Sequence, residues 1–279
     1  MKLGIMLAGR TPDEVRQRLE SAREAGFSLC QINLHQAGFS RADLVAVADA
    51  VVEFEVRPVT VGCYVNPLRP QEPFPMGATR EDLDTLLHAL DIVGARRVVL
   101  FSGSYASSVF EDHVDNHSAA ALEQLQAFVT DVCASTRARH YFLVIEPWHT
   151  HVLSSEERIA EFHRGLDEGT RQHVRYVLDA PALIRAEDYP ERDKRARALA
   201  RILGPAAGAV HFRDCIMPPD GETAYPAPGQ GRLDYPAYVE AVVEYANPEA
   251  PAVIRNVPVS EYAAVRDYML RLGVPWELA

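Results

Sequence analysis

Short apolar runs alternate along this sequence with longer segments of helical periodicity, and this alternation is its most constraining feature. Eight apolar runs are each followed by a helix-like segment; they cover residues 2–7, 28–34, 57–64, 97–101, 141–146, 174–179, 207–212 and 252–256. Such alternation predicts parallel strands joined by right-handed helical crossovers. Eight units in 279 residues predict a closed (β/α)8 barrel, which typically needs about 250 residues.

Capping signals support the predicted helices. Thr11 precedes Pro12 at the start of the first helix, and Gly26 follows its end. A doubly wound open sheet is the competing fold. It would need a glycine-rich phosphate loop after the first strand, and the residues there read LAGR. No linker or low-complexity tract divides the chain, so one barrel domain is predicted over residues 1–279.

Composition narrows the class of partner. The formal net charge of -11 disfavours nucleic acid, because an acidic surface repels phosphate backbones. Four scattered cysteines without a C-x-x-C pair are typical of reduced thiols. No apolar stretch approaches the roughly 20 residues of a membrane span, and the first residues do not resemble a signal peptide. We expect a cytoplasmic protein without membrane partners, and a homo-oligomer remains open.

Three predicted strands end in residues that can carry chemistry. Glu146 ends the fifth strand, Asp179 ends the sixth, and His211 lies within the seventh with Asp214 just beyond it. Adjacent strands lie about 4.8 Å apart, so these side chains are expected to converge at the carboxyl end of the barrel. Two carboxylates and an imidazole suit a divalent ion that keeps open positions for water and substrate.

These residues and two short motifs resemble the xylose-isomerase-like family of sugar isomerases and epimerases. Glu146, Asp179 and His211 are similar to three of that family's four metal ligands. The segments HFRD at 211–214 and PAPGQGRLDY at 226–235 resemble its motifs on and after strand seven. The resemblance covers essentially the whole chain and implies a barrel of this family.

The end of strand eight departs from the family pattern, which has a glutamate there as fourth ligand and second acid/base. The matching residue is Arg255 or Asn256, depending on a one-residue choice of alignment. Asn256 could offer a carbonyl oxygen to the metal, whereas Arg255 could bind a substrate carboxylate or phosphate. A site without this carboxylate fits one-base chemistry better than two-base chemistry.

Other polar and aromatic residues are expected near the mouth of the barrel. Glu146 and His211 are the predicted catalytic residues, and Asp214 is expected to support the site or anchor a loop. Each has a structural alternative: Glu146 could be a salt-bridged residue of the barrel mouth, and His211 a core histidine. The predicted substrate-binding residues are His35, Tyr64, Asn66, Trp148, His149, Arg213 and Arg255.

The resemblance implies an isomerase or epimerase of carbohydrate metabolism that handles a sugar or related polyhydroxy carbonyl compound through an enediolate. One divalent ion, Mn, Mg, Co or Zn, would stabilise the enediolate, with Glu146 as general base. The alternatives are a dehydratase or lyase of the same family, or a metal-free sugar-binding member that has lost catalysis. An endonuclease acting on abasic DNA is disfavoured by the few strand-end histidines and by the negative charge. No nicotinamide-binding fingerprint is present.

Overall fold

Eight parallel strands close into a barrel in chain order in this computed structural model. The structure describes residues 1–34, 38–72, 77–137, 139–218 and 223–278. Strand β1 pairs with both β2 and β8, which closes the barrel. The strands are β1 Leu3–Gly9, β2 Leu29–Leu34, β3 Arg57–Gly62, β4 Arg97–Phe101, β5 Phe142–Glu146, β6 Val174–Leu178, β7 Ala207–Phe212 and β8 Ala252–Ile254. The predicted barrel is therefore confirmed.

Helices follow the strands and cover the outside of the barrel. Their apolar faces pack with the outward-facing strand residues into one large core. None of the helices in the described part of the chain combines the length and apolar character needed to cross a lipid bilayer. They are α1 Pro12–Glu24, α2 Arg41–Phe54, α3 Arg80–Val93, α4 Ala119–Arg137, α5 Glu156–Gly165, α6 Glu168–Arg171, α7 Ala180–Leu183, α8 Arg192–Leu203, α9 Tyr235–Tyr245 and α10 Tyr262–Leu270.

Side-chain caps fix where several helices begin. Thr11 accepts a hydrogen bond from the backbone of Glu14 at the start of α1, as its position before Pro12 predicts. Thr79 and Asp82 form a reciprocal capping box at the start of α3. Gly94 ends that helix with φ of 80°, a left-handed conformation that costs glycine little.

The observed strand boundaries differ most from the predicted ones at the carboxyl ends of β1, β3 and β8, by two residues each. Strand β1 ends at Gly9, two residues after the predicted end. Strand β3 ends at Gly62, two residues before the predicted end. Strand β8 ends at Ile254 rather than at residue 256. Asn256 has φ of 59°, which lies in the left-handed region and is incompatible with a strand. The chain therefore turns away from the barrel directly after Arg255.

Candidate active site at the carboxyl ends of the strands

The alternation of side chains along β5, β6 and β7 places three polar residues in the barrel interior. Val144, Val177 and Ala209 pack together inside the barrel, and the outward neighbours on the same strands belong to the outer core. Successive strand residues point to opposite faces, so the residue two positions further on points inward again. Those residues are Glu146, Asp179 and His211.

These three side chains form a buried cluster. One ligand atom from each residue lies within 4.8 Å of the others, and all three residues are buried. The His211 Nδ1 atom is 3.6 Å from Glu146 Oε1. The structure therefore brings together the carboxylates and the imidazole that the sequence places at three successive strand ends.

Arg255 reaches into the middle of this cluster from the end of β8. Its Nη1 atom donates to Glu146 Oε1 at 2.5 Å and to Asp179 Oδ2 at 3.2 Å. The same atom lies 3.2 Å from His211 Nδ1. A single guanidinium nitrogen thus contacts one ligand atom of each cluster residue.

A second arginine holds Asp179 from the other side. Arg213 Nε lies 3.0 Å from Asp179 Oδ2, and the side chain is 1% exposed. Its guanidinium carbon lies 4.4 Å from the ring centroid of Trp148 and 4.0 Å from that of Tyr225. Both rings make cation–π contacts with Arg213, which restricts its orientation. The predicted substrate-binding residues Trp148 and Arg213 therefore contact each other beside Asp179.

Buried amide and hydroxyl groups orient His211. Its Nε2 atom lies 3.0 Å from the side-chain oxygen of Gln31, which also accepts a hydrogen bond from Thr60. Because that oxygen can only accept, Nε2 carries the proton and Nδ1 has its lone pair toward Arg255. The Gln31 amide in turn donates to Asn33 and to the Tyr64 hydroxyl.

Electrostatics favour the ionised forms of the central pair. Burial raises the pKa of Glu146, but the positive charge of Arg255 and the contact with His211 outweigh it and hold this pKa well below its ordinary value. Burial lowers the pKa of Arg255, and Glu146 and Asp179 reverse this, so the net effect is a raised pKa. Burial, with the charge of Glu146, raises the pKa of Tyr64, so its hydroxyl stays protonated.

Two cavities open at the mouth of the barrel. One has a volume of about 340 Å³, and Tyr64, Phe101 and Arg255 are among the residues that line it. The other has a volume of about 660 Å³, and its lining includes Trp148 and His149. Both volumes fall in the range of small-molecule sites. Glu146 is fully buried, and it contacts Tyr64 and Arg255, which both line the first cavity.

Other predicted substrate-binding residues have structural partners. Asn66 donates to the Ser104 carbonyl and accepts from the backbone of Leu68 and Ser104, so it ties together the loops after β3 and β4. The Nδ1 atom of His149 lies 3.0 Å from the Ala182 carbonyl. His35 lies outside the described residues.

Asn256, predicted as a metal ligand, lies on the exposed surface of the mouth. Its side-chain amide donates to the Tyr225 carbonyl at 2.8 Å. The left-handed backbone at this residue turns the chain outward, so Arg255, and not Asn256, reaches the cluster. The sequence left open whether Arg255 or Asn256 ends β8 at the cluster, and the register of this strand selects Arg255.

Asp214 anchors the loop after β7. Its carboxylate accepts hydrogen bonds from the backbone of Cys215, Gly231, Arg232 and Leu233. A Cβ atom on Gly231 would lie 2.3 Å from Asp214 Oδ1, so a larger residue would disrupt this contact. The second glycine of the PAPGQGRLDY segment, Gly231, thus has a steric explanation.

Sequence reasoning did not identify Gln31 as the partner of His211, or Thr60 as the residue that donates to Gln31. A signal is present in β2, where Gln31 and Asn33 alternate with apolar residues in LCQINL. Two polar residues at period 2 within a strand place both on one face. In a closed barrel that face is the interior, where an unpaired amide would be costly.

Comparison with known proteins agrees with this geometry. Residues 19–250 match the model of the protein family described as xylose isomerase-like TIM barrel. The chain belongs to this family. The family resemblance predicted from the strand-end residues is therefore confirmed for this xylose isomerase-like barrel. No match was found among curated protein sequences.

Several solved structures superpose on the chain. An L-ribulose 3-epimerase is 15% identical, with 98% of this chain and 94% of that chain covered and a TM-score of 0.68. An AP endonuclease, family 2, from Brucella melitensis is 17% identical, with coverage of 97% and 98% and a TM-score of 0.67. A xylose isomerase-like protein from Mycobacterium smegmatis, in complex with magnesium, is 14% identical, with coverage of 94% and 87% and a TM-score of 0.63. At these identities the likeness shows the fold.

The donor atoms of the cluster are of the types that bind divalent metals. Glu146, Asp179 and His211 could hold a metal ion through two carboxylate oxygens and one imidazole nitrogen. Arg255 does not fit such a site, because its Nη1 atom contacts a ligand atom of each residue. An ion bonded to the same three atoms would need the space that this nitrogen fills. With Arg255 in place, the four residues together do not accommodate a divalent ion.

Proposed function

We propose that this xylose isomerase-like barrel is an enzyme that moves a proton on a sugar or related polyhydroxy carbonyl compound through an enediolate, as isomerases and epimerases do. The observation that carries the proposal is the buried carboxylate of Glu146, which is ion-paired with Arg255, a residue that lines a mouth cavity. Its Oε2 atom has no hydrogen-bond partner among the described residues. An ionised carboxylate with one uncommitted oxygen can accept a proton from carbon.

Arg255 supplies the positive charge in this mechanism. Its guanidinium lines the cavity, and its buried Nε–H has no hydrogen-bond partner within the described ranges. A substrate carbonyl oxygen that accepts from this group becomes polarised, and the adjacent C–H becomes more acidic as the enediolate gains charge. The divalent ion predicted from the sequence, Mn, Mg, Co or Zn, takes no part in these steps.

The lowered pKa of Glu146 would make it a weak base if Arg255 stayed wholly committed to it. As negative charge develops on the substrate oxygen, Arg255 is shared between that oxygen and Glu146. The proton affinity of Glu146 therefore rises as the carbon loses its proton. The guanidinium of Arg255 thus couples proton uptake by Glu146 to the growth of negative charge on the substrate oxygen.

Tyr64 is placed to act as an acid. Its hydroxyl interacts with Glu146, its ring lines the cavity, and its pKa is raised. A neutral phenol next to the enediolate oxygens can donate a hydrogen bond or return a proton. Return to the neighbouring carbon would give isomerisation, and return to the opposite face of the same carbon would give epimerisation.

The substrate class follows from the cavities and the net charge. A cavity of about 340 Å³ next to a second of about 660 Å³ suits a small molecule. Tyr64 and Phe101 present aromatic surface to one cavity, and Trp148 and Tyr225 to the other. Aromatic faces suit the C–H faces of a sugar ring. The formal net charge of -11 disfavours DNA as substrate.

A second candidate function is sugar binding without turnover. Glu146 is 0% exposed and ion-paired with Arg255, which favours a structural role for the carboxylate. In that case the cavities would bind a ligand, and no proton would be exchanged.

Hydrogen exchange from carbon separates the two candidates. The protein is incubated in D2O with a panel of aldoses, ketoses and their acids, and NMR follows deuterium entry at the carbon next to the carbonyl. We expect exchange with at least one compound, and loss of at least about 100-fold in Glu146→Gln, because the base is removed. Formation of a dehydrated product would instead indicate lyase chemistry.

Glu123→Gln is the matched control, because Glu123 is an exposed residue of α4. It should exchange at the wild-type rate. Ligand binding, measured by calorimetry, should survive in folded Glu146→Gln. Binding of a sugar by the wild type without any exchange would reject the enzyme and favour the binding protein.

A further inference from the structure

The central feature of the site is that the guanidinium of Arg255 occupies the position among the cluster residues where a metal cation could bind. Arg255 Nη1 makes its three contacts at 2.5, 3.2 and 3.2 Å, one to each residue of the cluster. Two of these partners are anions, and the third is an imidazole nitrogen whose lone pair faces the guanidinium. This is the environment that a bound cation requires.

The local charges are already balanced. Glu146 and Asp179 contribute two negative charges, and Arg213 and Arg255 contribute two positive charges. His211 turns its Nε2 atom to the Gln31 side-chain oxygen and its Nδ1 atom to Arg255. A divalent ion added to this group would leave an uncompensated buried charge, which a low-dielectric interior strongly disfavours.

Arg255 is also held in place by its backbone. Its N–H donates to the Phe212 carbonyl at 2.9 Å, continuing the hydrogen bonding between β7 and β8. Its side chain is 12% exposed, and the left-handed turn at Asn256 directly follows it. The guanidinium therefore enters the cluster from a fixed point on the barrel.

We infer that Arg255 is the resident cation of this site and that the protein holds its carboxylate–histidine cluster together, and works, without a divalent metal. The guanidinium does for Glu146, Asp179 and His211 what a metal would do in a site of the same donors. The part of this inference that concerns catalysis rests on the proposed function. The part that concerns the cation stands on the contacts of Arg255 alone.

The inference predicts that removal of the guanidinium creates a metal site. In Arg255→Gln the two carboxylates and His211 lose their central cation, and in Arg255→Glu they also gain a fourth donor, a third carboxylate. Both variants should bind Mn²⁺ at least about 100-fold more tightly than the wild type, since the positive charge that fills the position of the ion is removed. The wild type should hold well under one equivalent of metal.

The experiment measures metal and not turnover, so it is independent of the proposed reaction. Purified wild type, Arg255→Gln and Arg255→Glu are stripped with a chelator, re-equilibrated with MnCl2 and separated from free ion. Elemental analysis then gives the equivalents bound, and thermal melting gives the shift caused by Mn²⁺. Adding His211→Ala to Arg255→Gln should abolish the gained binding.

Arg23→Gln is the charge-matched control, because Arg23 is half exposed and pairs with Glu55 on the surface. It should behave as the wild type does. One equivalent of chelatable metal in the wild type, with a melting temperature that falls on chelation, would overturn the inference without any variant. Folded Arg255 variants that bind no Mn²⁺ would overturn it equally, since the cluster would then not be a cation site.

Discussion

The ion pair between Glu146 and Arg255 allows a quantitative test by double-mutant cycle. The perturbations are Glu146→Gln, Arg255→Gln and the double variant. Glutamine keeps hydrogen-bonding groups at both positions while it removes each charge. The pair is suitable because Glu146 is 0% exposed, the Arg255 side chain is 12% exposed, and their closest atoms are 2.5 Å apart.

The expected magnitudes follow from the burial of both groups. Removing one partner of a buried pair leaves an uncompensated charge and typically costs about 3–5 kcal/mol. Arg255→Gln should be the more harmful variant, because it removes the ion-pair partner of Glu146, whereas in Glu146→Gln the Arg255 guanidinium keeps Asp179. In the double variant neither charge is stranded. We therefore expect its loss to be smaller than the sum of the single losses by about 2–3 kcal/mol.

Equilibrium urea unfolding in chelator-treated buffer is the assay, since the Arg255 variants are expected to bind metal. Each kcal/mol should also lower the melting temperature by about 2–4 °C. The exposed pair of Arg16 and Glu53, with exposures of 45% and 49%, is the matched control. Its cycle should give a coupling below about 1 kcal/mol.

The pH dependence of the cycle follows from the pKa of Glu146. A carboxylate whose pKa is lowered on folding stabilises the protein above its unfolded pKa, and loses that effect only as the pH falls through the folded value. Since the folded pKa of Glu146 is well below its ordinary value, the coupling should be the same at pH 7 and pH 5. Additive effects within about 0.5 kcal/mol at pH 7 would refute the buried ion pair.

Three further substitutions test other parts of the site. Arg213→Lys should cost about 1–2 kcal/mol in urea unfolding, because an ammonium cannot stack on the flanking rings as a planar guanidinium does. Burial lowers the pKa of His151 from 6.5 to about 4, so the wild type should gain about 3 kcal/mol of stability as the pH rises from 4 to 6.5. His151→Gln should flatten this rise, whereas the exposed control His88→Gln should retain it. Gly231→Ala places a Cβ atom 2.3 Å from Asp214 Oδ1 and should cost about 1–3 kcal/mol; if the clash is the cause, the same change should cost less when it is added to Asp214→Ala, a variant already destabilised by the loss of its loop hydrogen bonds.

The barrel could be predicted from the sequence because its signals are local and repeated. Helix α3 and strands β4 and β7 begin and end where the pattern of apolar residues predicts. The carboxyl ends of β1, β3 and β8 were predicted less well. Strand β1 extends two residues beyond its predicted end. The predicted ends of β3 and β8 lie one residue beyond Cys63 and Arg255, whose backbone N–H groups donate to Val99 and Phe212 of the neighbouring strands. Pairing between strands sets these limits, and a single strand's sequence does not reveal it.

The three strand-end residues of the site could be predicted for the same reason. A carboxylate that ends a buried strand, followed by another on the next strand, is a local signal, and barrel closure brings the two together. The support of His211 by Gln31 was beyond local reasoning. The two residues are 180 positions apart and meet only because β2 and β7 face one interior.

The position of Arg255 shows most clearly what strand patterns leave undecided. The sequence limits the end of β8 to Arg255 or Asn256, and one residue of register sends one side chain inward and the next outward. Whether an inward arginine then reaches the cluster depends on its length and on the two carboxylates that attract it. Two strand-end carboxylates and a histidine therefore demand a cation, but they do not determine its source. In this barrel the next strand supplies a guanidinium, so the metal that the donor set alone indicates is not required to neutralise it.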